Sequence, residues 1–233
     1  MNTLEKLQDL LRTAKIIDMT HPLEEGIPHW FTQPGVTTEI GTKYVDDGSY
    51  WREIKMCEHS GTHIDAQSHF VEGGESVAQL PLERLMGRGV NIDATHIAGG
   101  ETVSVSDIQR FEKENGELQK GDLVFFRFGW DKKWKLGEEG RPFMENWPGV
   151  SKEASEYLAS KEVSAVGTDA SALDVLDAGN PSHYVLLNKK IYIIENVNQL
   201  EVLPKFFGVI GLPCKIKDGS GSTMRLLALV DSE

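Results

Sequence analysis

Apolar residues along this chain fall into one helical stripe and a series of short β-rich runs. Leu4, Leu7, Leu10, Leu11 and Ala14 recur at helical spacing, and they predict an amphipathic helix within Met1–Lys15. Six runs rich in β-branched and aromatic residues predict strands: Gly89–Asp93, Leu123–Phe128, Val163–Gly167, Ile191–Ile194, Phe207–Leu212 and Arg225–Val230. Helical patterns lie between them. Ser106-Asp107-Ile108-Gln109 reads as a capping box whose helix stops at Asn115-Gly116, and Ser151 caps a helix from Lys152 to about Ser160. This alternation points to an α/β domain with helices packed on a mixed sheet. No repeat, low-complexity tract or Pro/Gly/Ser linker divides the 233 residues, so a single domain spanning 1–233 is expected. The glycine-rich run Asp218-Gly219-Ser220-Gly221-Ser222 lacks both the lysine of a P-loop and the full dinucleotide fingerprint, and reads as a turn before the last strand.

Composition narrows the function classes. A formal net charge of -12 argues against nucleic-acid binding, which needs a basic footprint. No apolar run approaches the ~20 residues of a membrane span, and Met1–Lys15 has no signal-peptide core, so no membrane association and a cytoplasmic location are expected. The two cysteines, Cys57 and Cys214, imply no disulfide framework, and Cys57 in Ile54-Lys55-Met56-Cys57 reads as a small packing residue.

The densest chemistry lies in His59-Ser60-Gly61-Thr62-His63-Ile64-Asp65-Ala66-Gln67-Ser68-His69, which holds three of the seven histidines and an aspartate. Imidazole nitrogen and carboxylate oxygen are ligands shared by zinc, manganese and iron. One helix cannot gather all four groups, because Asp65 and His69 fall on a different side from His59 and His63. A flat strand aligns them but spreads them over roughly 33 Å. Convergence therefore requires a bend, and Gly61 supplies the backbone freedom for one. A second pair, His183 and Glu195, offers one nitrogen and one oxygen, the carboxylate at the end of the strand Ile191–Ile194. The two clusters can share Asp65 as a bridging carboxylate, as in two-metal sites. Trp30-Phe31 follows Gly26-Ile27-Pro28-His29 in a loop, where an aromatic can wall a pocket or pack inward. His21, His29 and His96 have no partner at ligand spacing; His29 and His96 read as structural or exposed. No G-x-S-x-G elbow occurs, and neither cysteine carries a nucleophile signature.

The His59–His69 segment resembles the signature of the metal-dependent cyclase superfamily, which includes bacterial kynurenine formamidase and isatin hydrolase. The resemblance extends to Asp18-Met-Thr-His-Pro-Leu23, to Leu80–Leu85 followed by Gly89–Asp93, to Val166–Asp169 with Leu173-Asp174, and to His183 with Glu195. It implies a swivelling β/β/α-type single domain with a mixed sheet and flanking helices, assembled as a homodimer or larger homo-oligomer. It also implies that His59, His63 and Asp65 hold a first divalent ion, and that Asp65, His183 and Glu195 hold a second, which some members leave empty. Either Mn2+ or Zn2+ suits these ligands. His69 matches the catalytic proton donor and acceptor, and Trp30 falls near a substrate contact.

The activity implied is hydrolysis of an amide or lactam, or a lactone, of a small aromatic molecule, isatin hydrolase-like. Kynurenine formamidase is the alternative, and a catalytically silent metal-binding or ligand-sensing protein is the other class. The stretch Asp131–Pro148 leans toward the isatin-type members. Gln67 stands where many relatives have proline, so the backbone between Asp65 and His69 lacks that restraint.

Overall fold

A computed structural model describes residues 1–232 of the chain. In chain order it forms α1 (Thr3–Thr13), β1 (Ala14–Asp18), β2 (Thr37–Thr42), α2 (Tyr44–Asp47), β3 (Trp51–Lys55), β4 (His63–Asp65), β5 (Met86–Asp93) and β6 (Thr102–Val103). There follow α3 (Val105–Asn115), β7 (Leu123–Arg127), β8 (Gly149–Val150), α4 (Lys152–Ser160), β9 (Ala165–Thr168), α5 (Pro181–Asn188), β10 (Tyr192–Glu195), β11 (Phe206–Pro213) and β12 (Gly221–Asp231).

The main sheet runs β1-β12-β11-β5-β7-β9-β10-β4, and a further pairing of β12 with β4 closes seven of its strands into a barrel. β5, β7, β9 and β10 are parallel, while β4, β11 and β12 run antiparallel to their neighbours. Closure depends on the length of β12. Its first three residues pair with β4, and its later residues pair with β11 and with β1.

The two-residue period of the strands divides the core. On β7, Leu123 and Phe125 join a cluster with Ile64, Tyr192, Ile194, Phe207 and Leu226 from around the barrel, which places that cluster inside it. Val124 and Phe126 point the other way, where Val166 and Ile193 pack with Ile108 and Phe111 of α3, Leu158 of α4 and Leu186 of α5. Strands buried on both faces explain why these runs read as continuous apolar stretches.

The expected α/β architecture with a mixed sheet and flanking helices is present, and each of the six expected strands forms within a few residues of its predicted bounds. Ser151 caps α4 as expected, its hydroxyl accepting from the Ala154 N–H at 3.1 Å. The start of α3 differs. Ser104, not Ser106, is the cap, because Asp107 stands three residues on and its carboxylate accepts from the Ser104 N–H at 2.9 Å.

α1 forms, but its leucine stripe stays about half exposed, and Ala14 begins β1 instead of ending the helix. The hairpin of β2 and β3 was invisible in the pattern. Both of its faces meet solvent, so no alternation of polar and apolar residues marks it.

His21 is buried and stacked on Trp134, with ring centroids 4.2 Å apart and planes at 13°. Burial pushes its pKa down from 6.5 to about 4. The unfolded chain therefore binds this proton between pH 6.5 and about 4 while the folded chain does not. Its contribution to stability is complete above pH 6.5 and is lost as pH falls toward 4, amounting to roughly 3 kcal/mol. His21→Phe keeps the stack and removes the titration. Urea midpoints measured from pH 7 to pH 4 should fall less in the variant than in the parent, and parallel curves would count against this account.

Candidate metal-binding and catalytic site

β4 is only three residues long, but it is held on both sides. Asp65 pairs with Ile193 and Gly221, and His63 with Glu195 and Thr223. Its period of two sends Ile64 into the barrel core and leaves His63 and Asp65 together on the opposite face, with Glu195 in register beside His63. Gly61 precedes it at φ +65°, a left-handed conformation that side chains disfavour, and this is the bend that returns His59 toward Asp65. A 3-10 turn over Gln67–His69 brings His69 round, and the first turn of α5 carries His183.

The imidazoles are oriented from behind. His63 Nδ1 donates to the Gly61 carbonyl at 2.9 Å, which leaves Nε2 facing Asp65 Oδ1 and Glu195 Oε2, each at 3.5 Å. His183 Nδ1 donates to Asp174 Oδ2 at 2.7 Å, which leaves Nε2 at 3.2 Å from Glu195 Oε1 and 3.5 Å from Asp65 Oδ2. His59 lies on the other side of Asp65, with Nδ1 at 2.7 Å from Oδ1. Glu195 Oε1 also accepts from the Leu173 N–H at 2.8 Å.

Ligand atoms of His63, Asp65 and Glu195 lie within 4.8 Å of one another, as do those of His59, Asp65 and His69. Asp65 thus belongs to both groups. His183 Nε2 stands beside Asp65 and Glu195 as well, and the antiparallel pairing of β10 with β4 sets Glu195 opposite His63.

Burial would raise the Asp65 carboxyl, but the imidazoles of His59, His183 and His63 hold it well below the usual carboxylate range. Burial would lower His183, yet hydrogen bonds to Asp174, Asp65 and Glu195 carry it well above its ordinary value. His63 is raised in the same way, its burial outweighed by Asp65, Glu195 and the Gly61 carbonyl. His69 goes the other way. Burial lowers it, His59 and His183 add to that, and together they outweigh Asp65 and Glu195.

The donor set suits a divalent cation. Asp65 and Glu195 are buried carboxylates, and their charged neighbours are imidazoles with ring nitrogens turned inward. Mixed imidazole and carboxylate sets of this kind are those zinc and manganese take.

Above the cluster lies a cavity of ≈ 190 Å³ whose apolar walls include Pro28, Trp30, Phe70 and Met144. Trp30 is half-buried, edge-on to Trp147 at 5.9 Å, and Phe70 packs against the His183 ring at 4.8 Å. Trp30 is therefore brought to the cluster, as are His59, His63, Asp65, His69, His183 and Glu195. Phe31 stays largely exposed. His96 pairs with Asp107 on the surface, whereas His29, read as structural or exposed, is exposed and also lines the cavity.

Asp174 was not singled out by the sequence as a site residue. No periodicity ties it to His183 nine positions on; only its place after the buried pair Ala172-Leu173 hints at a carboxylate turned inward. It accepts from the N–H groups of Ser182 and His183 as well as from the His183 ring. Asp174→Ala should weaken divalent-metal affinity by about 10–100-fold, the usual effect of losing a carboxylate behind a ligating histidine. Competition with a chromophoric chelator measures this, and unchanged affinity would remove Asp174 from that role.

The profile of the Cyclase family ("Putative cyclase") matches residues 17–175. Isatin hydrolase of Roseibium aggregatum is 30% identical to this chain over 218 residues, covering 84% of this chain and 82% of that protein. Kynurenine formamidase of Erythrobacter litoralis is 30% identical over 223 residues, covering 91% of this chain and 93% of that protein. A crystal structure of an isatin hydrolase bound to the product analogue thioisatinate superposes with a TM-score of 0.90 at 28% identity, covering 100% of both chains.

Proposed function

Because this chain belongs to the cyclase family, we propose that it is a metal-dependent hydrolase opening an amide or lactam bond of a small aromatic molecule, in the manner of isatin hydrolase. The observation that carries this reading is the convergence of His63, His183, Asp65 and Glu195 beneath a small aromatic-walled cavity, with His69 beside them. In this reading the whole chain acts as one domain. His59, His63, Asp65, His183 and Glu195 are the residues that would hold one or two divalent ions, Mn2+ or Zn2+.

When bound there, a divalent ion lowers the pKa of water toward neutrality and polarises a carbonyl oxygen. The chain's own residues do the rest. His69, neutral because burial lowers its pKa, accepts a proton from the attacking water and returns it to the leaving nitrogen. Trp30 and Phe70 orient a planar ring, while Pro28 and Met144 exclude bulk water from the reacting bond. Asp174 and the Gly61 carbonyl keep His183 and His63 in the tautomer whose Nε2 faces the carboxylates.

The likeness to kynurenine formamidase supports a second reading, with an N-formyl aryl amide as substrate. Hydrolysis of isatin and of an N-formyl aryl amide should be assayed side by side on protein stripped of metal and reloaded with Mn2+ or Zn2+. We expect turnover only after reloading, with isatin preferred. Equal rates in the stripped protein would exclude a metal-dependent reaction.

The half-exposed leucines of α1 support a homo-oligomeric assembly, which sedimentation at assay concentration tests. Both cysteines are free, which suits a reducing cytoplasm.

A further inference from the structure

The glycine-rich turn before β12 takes part in the cluster, although its sequence reads as a plain turn. We infer that Ser220, backed by Glu58, is a positioning residue for His59, holding it so that Nδ1 and not Nε2 is the ring nitrogen offered beside Asp65. This rests on reading the cluster as a divalent-cation site.

The assignment follows from counting protons. Glu58 Oε1 accepts from the Ser220 N–H at 2.9 Å and from the Ser220 hydroxyl. A serine hydroxyl has one hydrogen, so with it directed at Glu58 the oxygen has only lone pairs left for other partners. His59 Nε2 lies 2.8 Å from that oxygen and must therefore donate to it. In a neutral ring the lone pair then resides on Nδ1, which faces Asp65 Oδ1 at 2.7 Å. Two acceptors that close repel each other, unless Nδ1 also carries a proton or a cation touches both atoms.

The arrangement is the reverse of that at His63 and His183, where Nδ1 is held from behind and Nε2 faces the carboxylates. Close packing holds the ring in this pose. A Cβ at position 221 would lie 2.5 Å from His59 Cε1 and 2.8 Å from Nδ1, so only glycine lets the ring approach β12 this closely.

Nuclear magnetic resonance on protein with 15N-labelled histidine, loaded with 113Cd2+, tests this directly, with His59→Gln identifying the signals. We expect cadmium–nitrogen coupling through Nδ1 for His59 and through Nε2 for His63 and His183. Ser220→Ala should lower Cd2+ and Mn2+ affinity by about 10–100-fold, and Ser220→Thr should restore most of it. Glu58→Ala should give a similar loss, with the double variant no worse than either single one, as for residues acting in one chain.

Coupling through Nε2 of His59, or full affinity in Ser220→Ala, would overturn the inference. Should the protein take up no divalent ion, the metal-dependent reading falls separately. The cadmium-free spectrum still decides this inference: a protonated Nε2 on His59 upholds it, and a ring protonated at Nδ1 alone overturns it.

Discussion

Asp65→Ala is expected to lose bound metal and catalytic turnover together, with kcat/KM falling by at least about 10³-fold, because the charge stabilisation an ion supplies is worth several kcal/mol. Asp65 is the one carboxylate common to both ligand groups, and it faces His59, His63 and His183 at 2.7, 3.5 and 3.5 Å. Removing it leaves Glu195 as the only carboxylate at the inward-facing nitrogens of His63 and His183, so whichever of the two candidate ion positions is used loses a ligand. Asp65→Asn separates charge from shape. It preserves volume and one acceptor oxygen, and it should fail almost as badly because the ligand must be anionic. Elemental analysis alongside progress curves gives the answer. Full metal content with near-normal turnover in either variant would show that the centre of the chemistry lies elsewhere.

His69→Ala should lower kcat by roughly 10²–10⁴-fold, the range typical of losing a general acid–base group, while metal content holds. The geometry makes this a sharp test, since His69 lies close enough to Asp65 and His59 to act as a ligand instead. Loss of metal in the variant would assign it that role, and retention with lost turnover assigns it the proton. The pH profile separates the two further. Burial and the neighbouring His59 and His183 imidazoles lower the His69 pKa, so its base form persists below the ordinary histidine range. The acid limb of kcat in the parent should accordingly lie below about pH 6.5, and the variant should lack it.

Much of the site was legible because its ligands are close in sequence. Four potential ligands in eleven residues, interrupted by glycine, already required a bend at Gly61, and φ +65° there is that bend. From the residues alone, His183 and Glu195 could be linked to the first cluster only as an available nitrogen and oxygen, and the resemblance added their pairing with Asp65. Their actual neighbours were set by β4 pairing antiparallel with β10, a contact between segments some 130 positions apart. Glu58 and Ser220 were not legible as site residues, and Asp174 showed only as part of the resembling segment Leu173-Asp174, since each acts on a histidine far away in sequence or without periodic relation to it. The same reason hid the β2–β3 hairpin, whose exposed faces leave no pattern to read.

The chain's local chemistry determined the strands, the capped helices, the kind of ligand and the presence of a turn at Gly61, because each rests on residues within about a dozen positions of one another. Tertiary structure alone decided which nitrogen of each imidazole faces the carboxylates, which aromatic residues wall the cavity, and that β12 closes the sheet onto β4. Those outcomes depend on pairings and hydrogen bonds between distant segments, where propensity and periodicity exert no influence.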